Sequence, residues 1–237
     1  MTTTLNLDAF KLFQTTFEIR YDEAYLLWDK SGEIWSNVSR EWPNLKIHKA
    51  EPNNTTLSVD NFQLSATIDK SNIIDLKPSS SLSEFTTRTD KFIKIISNTL
   101  KIREYSRLGF RLIYVKKYTD KESAAKALLD LKLFKYPTSK CFNIDGKLLQ
   151  PRYGYNYEDD SSSVRIAIEA RETKVDVDSH PGIEELSPLH LVKHELVYDI
   201  DYSTVGKVYI GQLDVKEWIS QVYHLIKRDS NKILGGL

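Results

Sequence analysis

The stretch Tyr105–Lys117, YSRLGFRLIYVKK, decides the fold. Leu108, Phe110, Leu112 and Tyr114 recur at every second position, with Arg107, Gly109, Arg111, Ile113 and Val115 between them. Side chains on a strand alternate between its two faces, so this segment predicts one strand with a packed face and a partly basic face. Helical patterns flank it on both sides, which puts the strand in the middle of the chain and at the centre of a sheet.

Upstream, a helix opens after PSSS, with Leu82, Phe85, Thr89, Phe92, Ile96 and Leu100 on one face; Arg88, Lys91, Lys94 and Lys101 fall mostly off it. Before it, Phe62, Leu64, Ala66 and Ile68 alternate, Asp69–Asn72 reads as the turn, and Ile73–Lys77 returns as a hairpin. The turn formers of EPNNTT predict a loop, with a short strand near Ile47. Phe13, Thr15, Phe17, Ile19 and Tyr21 predict the first strand. A helix over Glu23–Glu41 follows, capped by Asp22, carrying Leu27, Ile34, Trp35, Val38 and Trp42, and ended by Pro43. Glycine costs about 1 kcal/mol against alanine inside a helix, so Gly32 marks a place for a bend.

Downstream, Asp120 predicts the cap of a helix using Ala124, Leu128 and Leu131. A strand near Leu148–Tyr157, the turn EDDSSS and an alternating strand through Val164, Ile166, Ile168 and Ala170 come next. SHPG and LSP mark a loop, and Leu196, Tyr198, Ile200 and Tyr202 a further strand. Asp214 and Glu217 have capping-box spacing ahead of an apolar stripe of Val215, Trp218, Ile219, Val222, Leu225 and Ile226. The order strand, acidic cap, helix occurs twice, as FEIRYDEAYLL and LIYVKKYTDKESAAKALL. The expectation is an α+β fold in two similar halves, residues 1–117 and 118–237. Each would be an antiparallel sheet with helices packed on one face, the two together forming one body.

The 237 residues include 33 Lys and Arg and 33 Asp and Glu, so no net charge draws the protein to polyanions. The balance is uneven, with 13 basic and 5 acidic residues over 86–135 against 4 and 12 over 158–201. Segments of opposite sign either face each other or serve partners of opposite sign. The single cysteine, Cys141, excludes an internal disulfide and fits a reducing compartment. MTTTLNLDAF resembles no secretory leader, and the expected location is the cytoplasm, without membrane association.

Three pieces carry a family resemblance: FEIRY followed by a helix ending REWP, RLGFRLIYV, and YDIDY feeding the final helix. In these the chain resembles a sporadically distributed family of uncharacterised microbial proteins of about this length. The resemblance implies an α+β protein with no assigned activity.

Asp176, Asp178 and His180 in VDVDSHPG, with Asp199 and Asp201, have the donor types that suit Mg²⁺, Mn²⁺ or Zn²⁺, although alternating aspartates also describe the solvent face of a strand. His190 and His194 in HLVKHE would share one face of a helix, but Glu195 lies outside the pair and HExxH is not formed. Cys141 has no nucleophile signature around it, and no P-loop, GxGxxG or GxSxG occurs. RLGFRLIY resembles in part the octapeptide of the RNA-recognition fold, whose strand aromatics stack bases. The reading is therefore a non-enzymatic interaction or accessory protein without a cofactor, binding another protein or a second copy of itself; 13 Tyr and 4 Trp without a catalytic constellation motivate it. The alternatives are a nucleic-acid-binding protein using Arg107, Arg111, Lys116 and Lys117, and a metal-dependent enzyme at the acidic cluster.

Overall fold

The computed structural model describes residues 5–51, 53–78, 81–133, 148–177 and 189–235. The first strand, β1, spans Lys11–Arg20 and leads into helix α1, Leu26–Glu41. Strands β2 (Lys46–Glu51), β3 (Asn54–Val59), β4 (Phe62–Thr67) and β5 (Lys70–Asp75) follow, then helix α2, Leu82–Leu100. After the short strand β6 (Glu104–Tyr105) comes β7, Arg107–Tyr118, and helix α3, Lys121–Leu129. Strands β8 (Arg152–Glu158), β9 (Ser162–Val177), β10 (Leu189–Thr204) and β11 (Val208–Tyr209) precede the last helix, α4, Val215–Leu234.

Nine of these strands form one sheet in the order β2-β3-β4-β5-β1-β7-β10-β9-β8, and every ladder in it is antiparallel. The fold is α+β, as expected, but there is one continuous sheet in place of one sheet per half. The joint is the β1–β7 ladder, where Phe17 stands opposite Phe110 and Ile19 opposite Leu108. Both pairs are buried on the helix side, so separating the strands would expose four large apolar side chains at about 1.5 to 3 kcal/mol each.

Period-two alternation in β7 holds: Leu108, Phe110, Leu112 and Tyr114 join a single core with Leu27, Ile34 and Val38 of α1, Phe92 and Ile96 of α2, Leu128 of α3 and Ile219 and Val222 of α4. Ser81 accepts from Glu84 N, Asp120 from Ser123 N, and Asp214 from Lys216 N and Glu217 N, so three of the four helices start on a side-chain cap. The fourth differs from expectation. Tyr21 N donates to Asp69 O and Ala24 N to Ile68 O, and these bonds hold 21–24 against the β4–β5 turn. The helix therefore begins at Leu26 with Tyr25 at its cap position and no side-chain acceptor there, and Asp22 caps nothing. It then runs unbroken through Gly32.

The β4–β5 turn is tighter than read, because the strand resumes at Lys70. The loop read in EPNNTT contains the start of β3, whose Thr55, Leu57 and Val59 are buried. In α4 the core residues are Val215, Ile219, Val222, Ile226 and Leu234, while Leu225 is only half-buried and Trp218 packs edge-on against Phe17 and Tyr202.

Candidate functional site

The four basic residues singled out in the sequence do not form one patch. Arg107 and Arg111 lie on the face of the sheet away from the core, and both are engaged by carboxylates of neighbouring strands. Arg107 Nη1 lies 3.1 Å from Glu18 Oε1 on β1, and its Nη2 lies 3.0 Å from each carboxylate oxygen of Asp201 on β10. Arg165 of β9 adds a contact to Asp201 at 3.0 Å, so one ladder of charge crosses four strands. Arg111 makes a two-pronged pair with Asp199, Nε to Oδ1 at 2.8 Å and Nη2 to Oδ2 at 2.6 Å, which raises its pKa above the ordinary guanidinium value. Gly109 makes room for this network. A Cβ there would stand 2.8 Å from Arg107 Cζ and closer still to Nη1.

Alternation puts Lys116 on the other face, its Nζ 5.6 Å from the centre of the Tyr118 ring. Lys117 is exposed opposite Glu195, which itself pairs with Arg171. Phe110 and Tyr114 are buried, so no base can stack on them. The opposite-signed segments thus meet within the protein, β7 against β10.

Asp178, His180 and Cys141 lie outside the described residues, as does the side chain of Asp176. Asp199 and Asp201 do not approach Asp176. They stand opposite Ala167 and Arg165, whereas Asp176 stands opposite His190, roughly 30 to 36 Å further along β9. His190 and His194 lie on strand β10 and not on a helix. Among the described residues no three His, Cys, Asp or Glu side chains gather as a metal site.

Among the described residues a concave surface lies where β1, α1 and α2 converge, and the sequence reading missed it. Leu27 turns into the core, and the first turn of α1 consequently carries Leu26 and Trp28 outward beside Tyr25. The Trp28 and Tyr25 rings meet edge to face with centroids 5.5 Å apart, and the Tyr25 hydroxyl donates to Glu23, which raises its pKa. Across the hollow, α2 ends with Lys101 in the left-handed region at φ 55°, its N–H donating to Ser97 O. From there Arg103 O accepts from Ile210 N, and β6 pairs with β11, which brings Tyr209 to the rim. The buried bond between Tyr105 and Ser97 hydroxyls fixes this corner at 2.7 Å.

Glu23, Ala24, Leu100 and Lys101 form the floor shared by two adjoining hollows, one walled by Tyr25, Leu26 and Trp28 and the other by Arg103, Glu104 and Tyr209. Tyr25, Trp28 and Tyr209 are 53%, 55% and 55% exposed. Single exposed aromatics are ordinary; here three stand around two hollows that share a floor, with Glu23, Asp29, Lys101 and Arg103 between them. Lys207 pairs with Glu104 and reaches toward Asp22 on the same rim.

No protein-family profile matches the chain, and no curated protein matches it. Among solved structures, the crystal structure of DynU16, a protein in the dynemicin biosynthetic locus, aligns with 94% of this chain and 97% of its own. Identity is 9% and the TM-score 0.26, a likeness too slight to carry fold or function. Among the described residues no helix is long and apolar enough to cross a membrane.

Proposed function

We propose that the protein is a non-enzymatic accessory protein of the cytoplasm that binds another protein through the hollow rimmed by Tyr25, Leu26, Trp28 and Tyr209. The observation that carries this reading is the exposure of three large aromatic side chains around two adjoining hollows that share a floor. Tyr and Trp are the residue types that dominate binding energy at protein interfaces, because each presents a large rigid surface with a polar edge. The charges between them, Glu23, Asp29, Lys101 and Arg103, would set the register of a polypeptide and reject like-charged alternatives.

The nucleic-acid alternative loses its support, since Arg107 and Arg111 are paired with carboxylates and the strand aromatics are buried. The order strand, helix, antiparallel strands, closing helix occurs once from β1 to α2 and again from β7 to α4, and supports reading an internal repeat within the one sheet, with β7 opening the second copy and not closing a first half at residue 117. The test is purification from the native host of the wild type beside Trp28→Ala and Tyr209→Ala. A partner protein held by the wild type and lost from both variants, at unchanged melting temperature, is the expected result. An identical set of companions in all three purifications refutes the site.

A further inference from the structure

Among the described residues the sheet ends on β2 and β8, and the two strands end it differently. Strand β2 carries Lys46 and Lys49 and a register shift between Ile47 and Lys49, features that discourage another strand from pairing there. Strand β8, RYGYNYE, has neither lysine nor proline and pairs with β9 in unbroken register from Arg152 to Glu158. Ala170 N donates to Pro151 O at 3.0 Å and Asp159 N to Ser162 O at 2.9 Å. In an antiparallel ladder hydrogen-bonded pairs alternate, so odd-numbered residues of β8 turn their backbone groups toward β9. Those of Arg152, Gly154, Asn156 and Glu158 point away from the sheet.

We propose that β8 pairs with the β8 of a second copy, antiparallel about a two-fold axis at Tyr155. Three features of the strand converge on that register. It sets the outward residues opposite one another, Arg152 against Glu158 of the second copy and Gly154 against its Asn156, so the N–H and C=O groups that β8 turns away from β9, which no strand of the described residues pairs, meet partners. It joins opposite charges at both ends of the contact. It places Tyr155 against Tyr155 of the second copy and Tyr153 against its Tyr157, extending the stack in which Tyr155 and Tyr157 are already 6.5 Å apart. Registers with the axis at Gly154 or Asn156 pair only three of the four outward residues and lose both charge pairs. The strand is complementary to itself, which is why the occupant is a second copy. The surface is separate from the aromatic hollow, and the inference does not rest on that reading.

The measurement is molar mass by sedimentation over a concentration series. The wild type should pass from monomer to dimer. Gly154→Pro should be at least about tenfold weaker in self-association, with the melting temperature of the dilute monomer unchanged, because the N–H it removes points away from β9. Arg152→Glu should weaken the dimer by setting glutamates opposite each other, and adding Glu158→Arg to the same chain should restore it. A wild type monomeric up to about 1 mM overturns the proposal. So does a dimer indifferent to Gly154→Pro, or a double charge exchange that fails to recover association.

Discussion

Arg107 folds back over Gly109 and grips both carboxylate oxygens of Asp201 at 3.0 Å, joining strands that are 94 residues apart in sequence. The same guanidinium holds Glu18 on its other side, so a single residue ties β1, β7 and β10 together on the face opposite the core.

Gly109→Ala should displace Arg107 from both carboxylates. Because Asp201 keeps Arg165 and Glu18 keeps Arg20, the loss is about 1 to 2 kcal/mol and no larger than that of Arg107→Ala. Denaturant unfolding of the two single variants and the double should give strongly non-additive values, since both remove the same contacts. Additive values would show that Gly109 and Arg107 act independently.

Single-stranded RNA or DNA should bind weakly at every ionic strength. A site neutralising several phosphates would show a log–log salt slope of about −0.7 per phosphate. The expected slope is shallower than that of one phosphate. A steep slope abolished by Arg111→Ala with Lys116→Ala would restore the nucleic-acid reading.

Ile226→Ala in α4 should cost on the order of 2 to 5 kcal/mol, with Leu225→Ala well below it, because Ile226 is buried in the core and Leu225 is half-buried on the flank. Equal losses measured by chemical denaturation would place the helix in a different rotation.

Asp229 near the end of α4 accepts from Arg228 at 2.7 Å and lies 2.7 Å from Lys232, and these cations lower its pKa to about 2. A carboxylate depressed in the folded state stabilises it above the unfolded value, about 3.9, and that contribution fades as pH falls toward 2. The melting temperature of Asp229→Asn should therefore lie below the wild type at pH 6, with the gap closing on acidification. A gap independent of pH would show that the carboxylate charge is not involved.

The elements legible in the sequence were those fixed by local chemistry. Asp120 and Asp214 announce helices because a side-chain acceptor satisfies amides two or three residues on, and the alternation around Phe110 announces β7 because one face is buried. What escaped was decided by distant partners. Thr55 and Leu57 sit in β3 although Asn54–Thr56 has turn composition, because β2 and β4 supply ladders on both sides. Asp22 fails as a cap because the β4–β5 turn holds the chain three residues longer. The stripe of Leu27, Ile34 and Val38 is buried as read and leaves Trp28 outside it, but Tyr209 reaches the same rim only through the β6–β11 pairing, which is why the aromatic hollow has no signature in the sequence. The pairing of Arg107 and Arg111 with Asp201 and Asp199 follows only from the β7–β10 register, although the opposed charge of the two segments was visible beforehand.

The most direct test of the account is the dissociation constant of the copurifying partner for wild type and Trp28→Ala. An aromatic at the centre of an interface contributes about 2 kcal/mol or more, so the variant should bind more than about tenfold more weakly, chiefly through faster dissociation. Equal dissociation constants for the two proteins would contradict the assignment of the Tyr25, Trp28 and Tyr209 hollow as the binding surface.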